Sequence, residues 1–207
     1  MSEKKPQIIF TKSSPFYLVN GEYVNDEMGN AISVKPVTAL CRCGKSLKMP
    51  YCDDTHTNEI FDNEKSEDRH LNKWRSYEGQ EISIHFNLGI CCHVGLCLKN
   101  LPSVFNKDTK PWINPNGASA DSIIAMIKTC PSGALTYSTS GNEVADFDDE
   151  IRIKIVTNGP IVVRGPVELI NDDMSIQELR SKERYTLCRC GKSKNKPFCD
   201  GSHRTED

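Results

Sequence analysis

Cys188, Cys190, Cys199 and His203 present three thiols and one imidazole within a single polar stretch, LCRCGKSKNKPFCDGSH. Soft thiolates joined by an imidazole at this density make a metal or cluster ligand set. The same quartet occurs earlier as Cys41, Cys43, Cys52 and His56, in LCRCGKSLKMPYCDDTH. Each ligand stands 147 residues before its twin. Agreement at four positions marks an internal duplication. In both copies the last two ligands are four residues apart, so one helical turn sets both on the same face. Asp53 and Asp200, directly after the third cysteine, are placed to cap that turn. Gly201 is expected at positive φ or in a tight contact, and Asp54 holds its place in the first copy. Aspartate is one of the few side chains that tolerates the left-handed region.

A second pattern lies between the two quartets. Cys91 and Cys97 are followed at a distance by Cys130-Pro131. Ferredoxin clusters draw three ligands from Cys-x2-Cys-x2-Cys and a distant fourth that precedes proline. Here the central position is Val94, which cannot ligate iron. Cys92 is a spare thiol, expected as an ordinary buried cysteine.

Positioning these ligands falls to small elements. QIIFTKSSPFYLVNG and IRIKIVTNGPIVVRG each read as a hairpin, the second turning at Asn158-Gly159-Pro160. Each outer ligand loop thus follows a hairpin in a small β-rich module. In the middle, Glu81–Phe86 alternates as a half-buried strand. Gly117–Lys128 reads as a short helix with Ser119 or Asp121 as its cap and Ile123, Ile124 and Ile127 as its apolar stripe. Pro131 should stop it. Charge-dense segments, Glu59–His70 and Ser140–Glu150, read as linkers, and the final Arg-Thr-Glu-Asp as a solvated tail. The expected domains are 1–64, 65–144 and 145–207, in an α+β chain of two β-rich modules flanking an α+β one. His70 and His85 are expected as plain surface or strand residues, and Trp74 and Trp112 as closing the middle core.

Composition narrows the setting. Of 207 residues, 37% are hydrophobic and ten are cysteine, and the mean hydropathy is −0.50. That suits small modules held by metal staples better than one large apolar core. Disulfides would also use an even cysteine number, but no export signal opens the chain and no apolar run reaches membrane length. Reduced thiols in the cytoplasm or an organelle matrix are therefore expected. A net charge of −2 argues against nucleic-acid binding. No nucleophile elbow, phosphate loop or dinucleotide fingerprint is present, so no enzymatic activity is expected.

Ligand type alone fits structural zinc as well as an iron–sulfur cluster. The outer motif, however, resembles the CDGSH iron–sulfur (mitoNEET-like) family: Cys-x-Cys, Ser46 or Ser193, Pro50 or Pro197, then Cys-Asp-x-x-His, with CDGSH spelled out in the second copy. The resemblance implies a [2Fe–2S] cluster on three cysteines and one histidine at each site. It also implies an intertwined pair, here an intramolecular pseudo-dimer within a monomer. A neutral imidazole should raise the potential and make it pH-dependent. Arg42, Lys45, Arg189 and Lys192 either offset cluster charge or keep the loops soluble.

The stretch CCHVGLCLKNLPSVF…PWINP…CPSGAL resembles a divergent single-cluster ferredoxin domain, implying [4Fe–4S]. Its Cys-x5-Cys…Cys-Pro form also resembles [3Fe–4S] ferredoxins. A histidine two residues after the first cysteine recurs in the divergent family, which makes His93 either a fourth ligand or a hydrogen-bond donor to a sulfide. One-electron transfer with a redox partner protein is the leading expectation. Cluster transfer to an apo acceptor, redox or pH sensing, and a zinc-stabilised interaction module are the alternatives.

Overall fold

The computed structural model describes residues 5–58, 64–139, 142–143, 150–171, 173–176 and 184–204. Parts of both expected linkers and of the tail, and the boundary at 144–145, lie outside these residues.

Apolar alternation builds the first copy. Strands β1 (Gln7–Phe10) and β2 (Phe16–Val19) form the expected hairpin, burying Ile8, Phe10, Phe16 and Leu18 on one side. Short β3 (Val24–Asp26) follows, then β4 (Val37–Leu40), which pairs with β2 and runs straight into Cys41. In the middle segment β5 (Trp74–Tyr77), β6 (Ser83–Asn87), β7 (Leu135–Thr139) and β8 (Asn142–Glu143) form an antiparallel sheet in sequence order. Helices α1 (Leu96–Asn100) and α2 (Ala120–Lys128) sit between β6 and β7. Ser119 caps α2, its hydroxyl accepting from the Ser122 N–H at 3.4 Å. The helix ends at Lys128, before Cys130-Pro131, as the proline demands. Trp112 closes the middle core edge-on to Phe86, with ring centroids 4.8 Å apart. His85 is a buried strand residue between the Ser76 and Ser138 hydroxyls. In the second copy β9 (Arg152–Ile155) and β10 (Ile161–Arg164) repeat the hairpin, and β11 (Glu168–Ile170) precedes β12 (Arg184–Leu187), which leads into Cys188.

The two copies exchange a strand. One sheet runs β11-β1-β2-β4 and the other β12-β10-β9-β3. Each therefore holds three strands of one copy and the short third strand of the other. Both exchanged strands pair in parallel: Val24 lies opposite Ile153, and Leu169 opposite Ile8. Side chains seal the exchange. Gln7 Nε2 donates to Glu168 Oε2 at 2.8 Å, and the Thr157 N–H donates to Glu27 Oε2 at 3.0 Å. The expected pseudo-dimer is thus realised by reciprocal strand exchange. One contiguous apolar core includes residues of both copies and of the middle segment.

Candidate metal centres

Each outer quartet hangs from a strand end by a repeated set of hydrogen bonds. The Cys41 N–H donates to Pro50 O and the Cys188 N–H to Pro197 O, both at 2.8 Å. The Cys52 N–H returns to Ala39 O at 2.9 Å and the Cys199 N–H to Thr186 O at 3.0 Å. The third cysteine is thereby pinned beside the strand that delivers the first. Ser46 and Ser193 brace the loops from inside, donating to Tyr51 O at 2.6 Å and Phe198 O at 2.7 Å. Asp53 accepts from the Thr55 N–H and, across the loop, from the Leu47 N–H; Asp200 does the same with Ser202 and Lys194. The Thr55 side-chain bond and the Leu47 N–H hold the Asp53 carboxyl down at about 2. The two aspartates thus tie each histidine turn to the start of its loop.

Within each quartet the ligand atoms form two pairs. Cys41 and Cys43 have their sulfurs 3.8 Å apart, and Cys188 and Cys190 3.5 Å. Cys52 Sγ lies 3.4 Å from His56 Nδ1, and Cys199 Sγ 3.7 Å from His203 Nδ1. Two thiolates on one tetrahedral metal at ~2.3 Å stand ~3.8 Å apart, and a thiolate and an imidazole nitrogen ~3.5 Å apart. Each pair therefore fits one metal position. Among the described residues, no three of a quartet's four ligand atoms lie within 4.8 Å of one another, whereas one four-coordinate ion would gather all four more closely.

The two quartets differ in their surroundings. Asp54 takes φ 66° and Gly201 φ 81°, meeting the left-handed expectation at both positions. In the first site Asp54 adds a carboxylate whose oxygen lies within 4.8 Å of both Cys52 Sγ and His56, and Cys52 and His56 are half-buried. In the second site Cys199 is only 2% exposed. Burial pushes the Cys199 thiol up to about 12. Ligation therefore depends on a metal's charge to hold it as thiolate, and loading should release protons. Arg42 and Arg189 are buried, whereas Lys45 and Lys192 are exposed. The Arg42 guanidinium lies 5.0 and 5.1 Å from the Phe10 and Phe16 ring centroids. Arg189 donates to Val156 O at 2.9 Å. Both arginines are built into the fold, Arg189 lining one pocket with Cys190, Cys199 and His203, and only the lysines are surface groups.

In the middle module Cys91 follows a short turn after β6, Cys97 lies in α1, and Cys130 follows α2. These elements converge on a small cavity lined by Cys91, Cys97 and Cys130, with Val94, Phe86 and Trp112. Burial pushes the Cys91 thiol up to about 12 as well. Cys92 is buried, as expected, but it also lines this cavity. His93 does not. It is exposed at φ 52°, and its Cβ and Cγ face Gly201 of the second outer loop. The backbone turn that aims Cys92 and Val94 inward aims His93 outward. Sequence reasoning missed the position of Cys92 beside the cavity, since a tandem cysteine carries no spacing signal of its own.

Comparison with known proteins matches this division. A model described as "Iron-binding zinc finger CDGSH type" fits residues 14–57 and again 158–204. One described as "Divergent 4Fe-4S mono-cluster" fits residues 77–140. An uncharacterized protein of Escherichia coli (strain K12), YjdI, is 42% identical over 64 residues, covering 31% of this chain and 84% of its own length. Its counterpart in Escherichia coli O157:H7 matches to the same extent. No solved structure matches the chain. No helix among the described residues is long and apolar enough to cross a membrane. With two complete Cys-x-Cys…Cys-x3-His loops and, between them in sequence, a cavity lined by four cysteines, the chain belongs to the CDGSH iron–sulfur family, its two CDGSH domains flanking a divergent 4Fe-4S mono-cluster domain.

Proposed function

We propose that the chain is a three-cluster electron carrier, with a [2Fe–2S] cluster at each outer quartet and a [4Fe–4S] cluster in the middle cavity. The observation that carries this reading is the pairing of outer ligands, two metal positions per quartet with spacings suited to tetrahedral iron. A structural zinc ion is a poorer fit, because it would need all four ligands around one point. Such clusters supply one-electron chemistry when bound. The residues do the rest: paired cysteines and histidines bind, Asp53 and Asp200 orient the histidine turns, and Arg189 places positive charge beside Cys190, Cys199 and His203. Phe86, Trp112 and Leu135 exclude water from the middle cavity. The partner is a redox protein, and the chain is a carrier rather than an enzyme. The test follows oxidised holoprotein mixed with a ferredoxin reductase and, separately, with apo-ferredoxin. Faster electron exchange than cluster hand-off supports carriage, and the reverse order overturns it.

A cluster-transfer role is favoured by one observation, the half-exposed Cys52 and His56 beside the Asp54 carboxylate. At the Cys52–His56 position the first centre should therefore lose iron to a chelator sooner than the second does at Cys199–His203, where the cysteine is buried. Absorbance and EPR of the Cys41→Ser and Cys188→Ser proteins during chelation report each outer centre alone. Equal rates would contradict the assignment of lability to this exposure.

A further inference from the structure

Among the described residues, the middle module packs against the second of the two pseudo-equivalent outer loops. Gly201 is buried, and a Cβ there would stand 2.9 Å from His93 Cβ and 3.1 Å from Cys92 O. At the twin position Asp54 is exposed. The same loop is clamped by the Ser66 N–H donating to Lys194 O at 2.8 Å, by Asn195 donating to Gly89 O, and by Lys194 paired with Asp68. Behind it, Arg184 donates to Lys128 O at 2.7 Å, two residues before Cys130. Cys92 lines the middle cavity together with Cys130. On its far side the second loop meets the first. A Cβ at Gly44 would stand 2.9 Å from Cys190 O, and Arg189 Nη2 lies 3.3 Å from Met49 Sδ.

We propose that the Cys92–His93 segment, seated on the bare Cα of Gly201, is the contact that couples the middle centre to the second outer centre. The second outer centre then stands between the other two. This also accounts for the unequal spelling of the two motifs: CDGSH is required where a neighbouring module closes on the loop, and CDDTH suffices where none does. A Cβ at a position of φ 81° meeting a backbone carbonyl cannot be relieved by a rotamer change. The inference rests on the three-cluster reading.

The test is EPR of the anaerobically reduced full-length protein, reading the broadening and fast relaxation that one paramagnetic centre imposes on its neighbour. Cys188→Ser, which removes the second outer set, should abolish the broadening of the middle signal, whereas Cys41→Ser should leave it in place. Gly201→Val should reduce it while Asp54→Val does not. Broadening that survives Cys188→Ser, or that is lost in Cys41→Ser, overturns the proposal. Should Gly201→Val fail to hold its cluster, the two cysteine variants still decide. Cys92→Ser should weaken the broadening without altering the type of the middle cluster. A changed cluster type would make Cys92 a ligand and overturn its role as a contact. Iron and sulfide counts of the wild-type protein test the three-cluster reading separately, before any variant is compared.

Discussion

Ile153→Ala should weaken both outer centres at once, although Ile153 belongs to the second copy alone. The side chain is 1% exposed and lies between Val163 of its own hairpin and Val24 of the exchanged strand from the first copy. Truncating a buried isoleucine costs about 2–5 kcal/mol, from lost transfer energy and the cavity left behind. In a chain of this size that is a fall in Tm of roughly 4–20 °C. Because β3 is part of the sheet that carries the second quartet, opening that sheet also frees the segment leading to β4 and Cys41. Visible absorbance from the two outer centres should therefore disappear in one shifted thermal transition. Loss of the second centre with the first unchanged would mean that the exchanged strands do not couple the copies.

The second large effect concerns the imidazole. His203→Cys replaces a neutral ligand with a thiolate and adds one negative charge to the second site. Exchange of imidazole for thiolate ligands separates Rieske from plant-type centres by hundreds of millivolts, so a single exchange should lower the potential by on the order of 100 mV or more. The histidine is also the ligand type that takes up a proton near neutrality in its free form. The variant's potential should accordingly lose its dependence on pH between about 6 and 8. Redox titration of the two proteins at several pH values reads both effects. An unchanged potential and slope would show that His203 does not govern this centre.

What was legible in the sequence was whatever covalent spacing controls. Cys-x-Cys and Cys-x3-His set ligand pairs by themselves, and the duplicated spacing exposed the repeat. The hairpins and α2 followed from local alternation, turn residues and the Ser119 cap. The strand exchange was expected only as part of a family resemblance. Residues 24–26, Val-Asn-Asp, are too short to carry a periodic signal, and parallel pairing with a distant strand leaves no mark on local composition. The placement of His93 was hidden for a related reason. Its direction is settled by a positive φ and by packing on Gly201, a residue far along the chain whose glycine could be read only as a backbone preference. Arg42 and Arg189 were equally ambiguous until the fold buried them.

We propose that the ligand pairs hold iron–sulfur clusters rather than single ions. Mössbauer and EPR spectra of anaerobically purified protein, with iron, acid-labile sulfide and zinc counts, test it most directly. The predicted result is a red-brown protein with two [2Fe–2S] centres, each with one histidine-ligated iron site, and one cubane centre. A colourless protein holding stoichiometric zinc and no labile sulfide would contradict it.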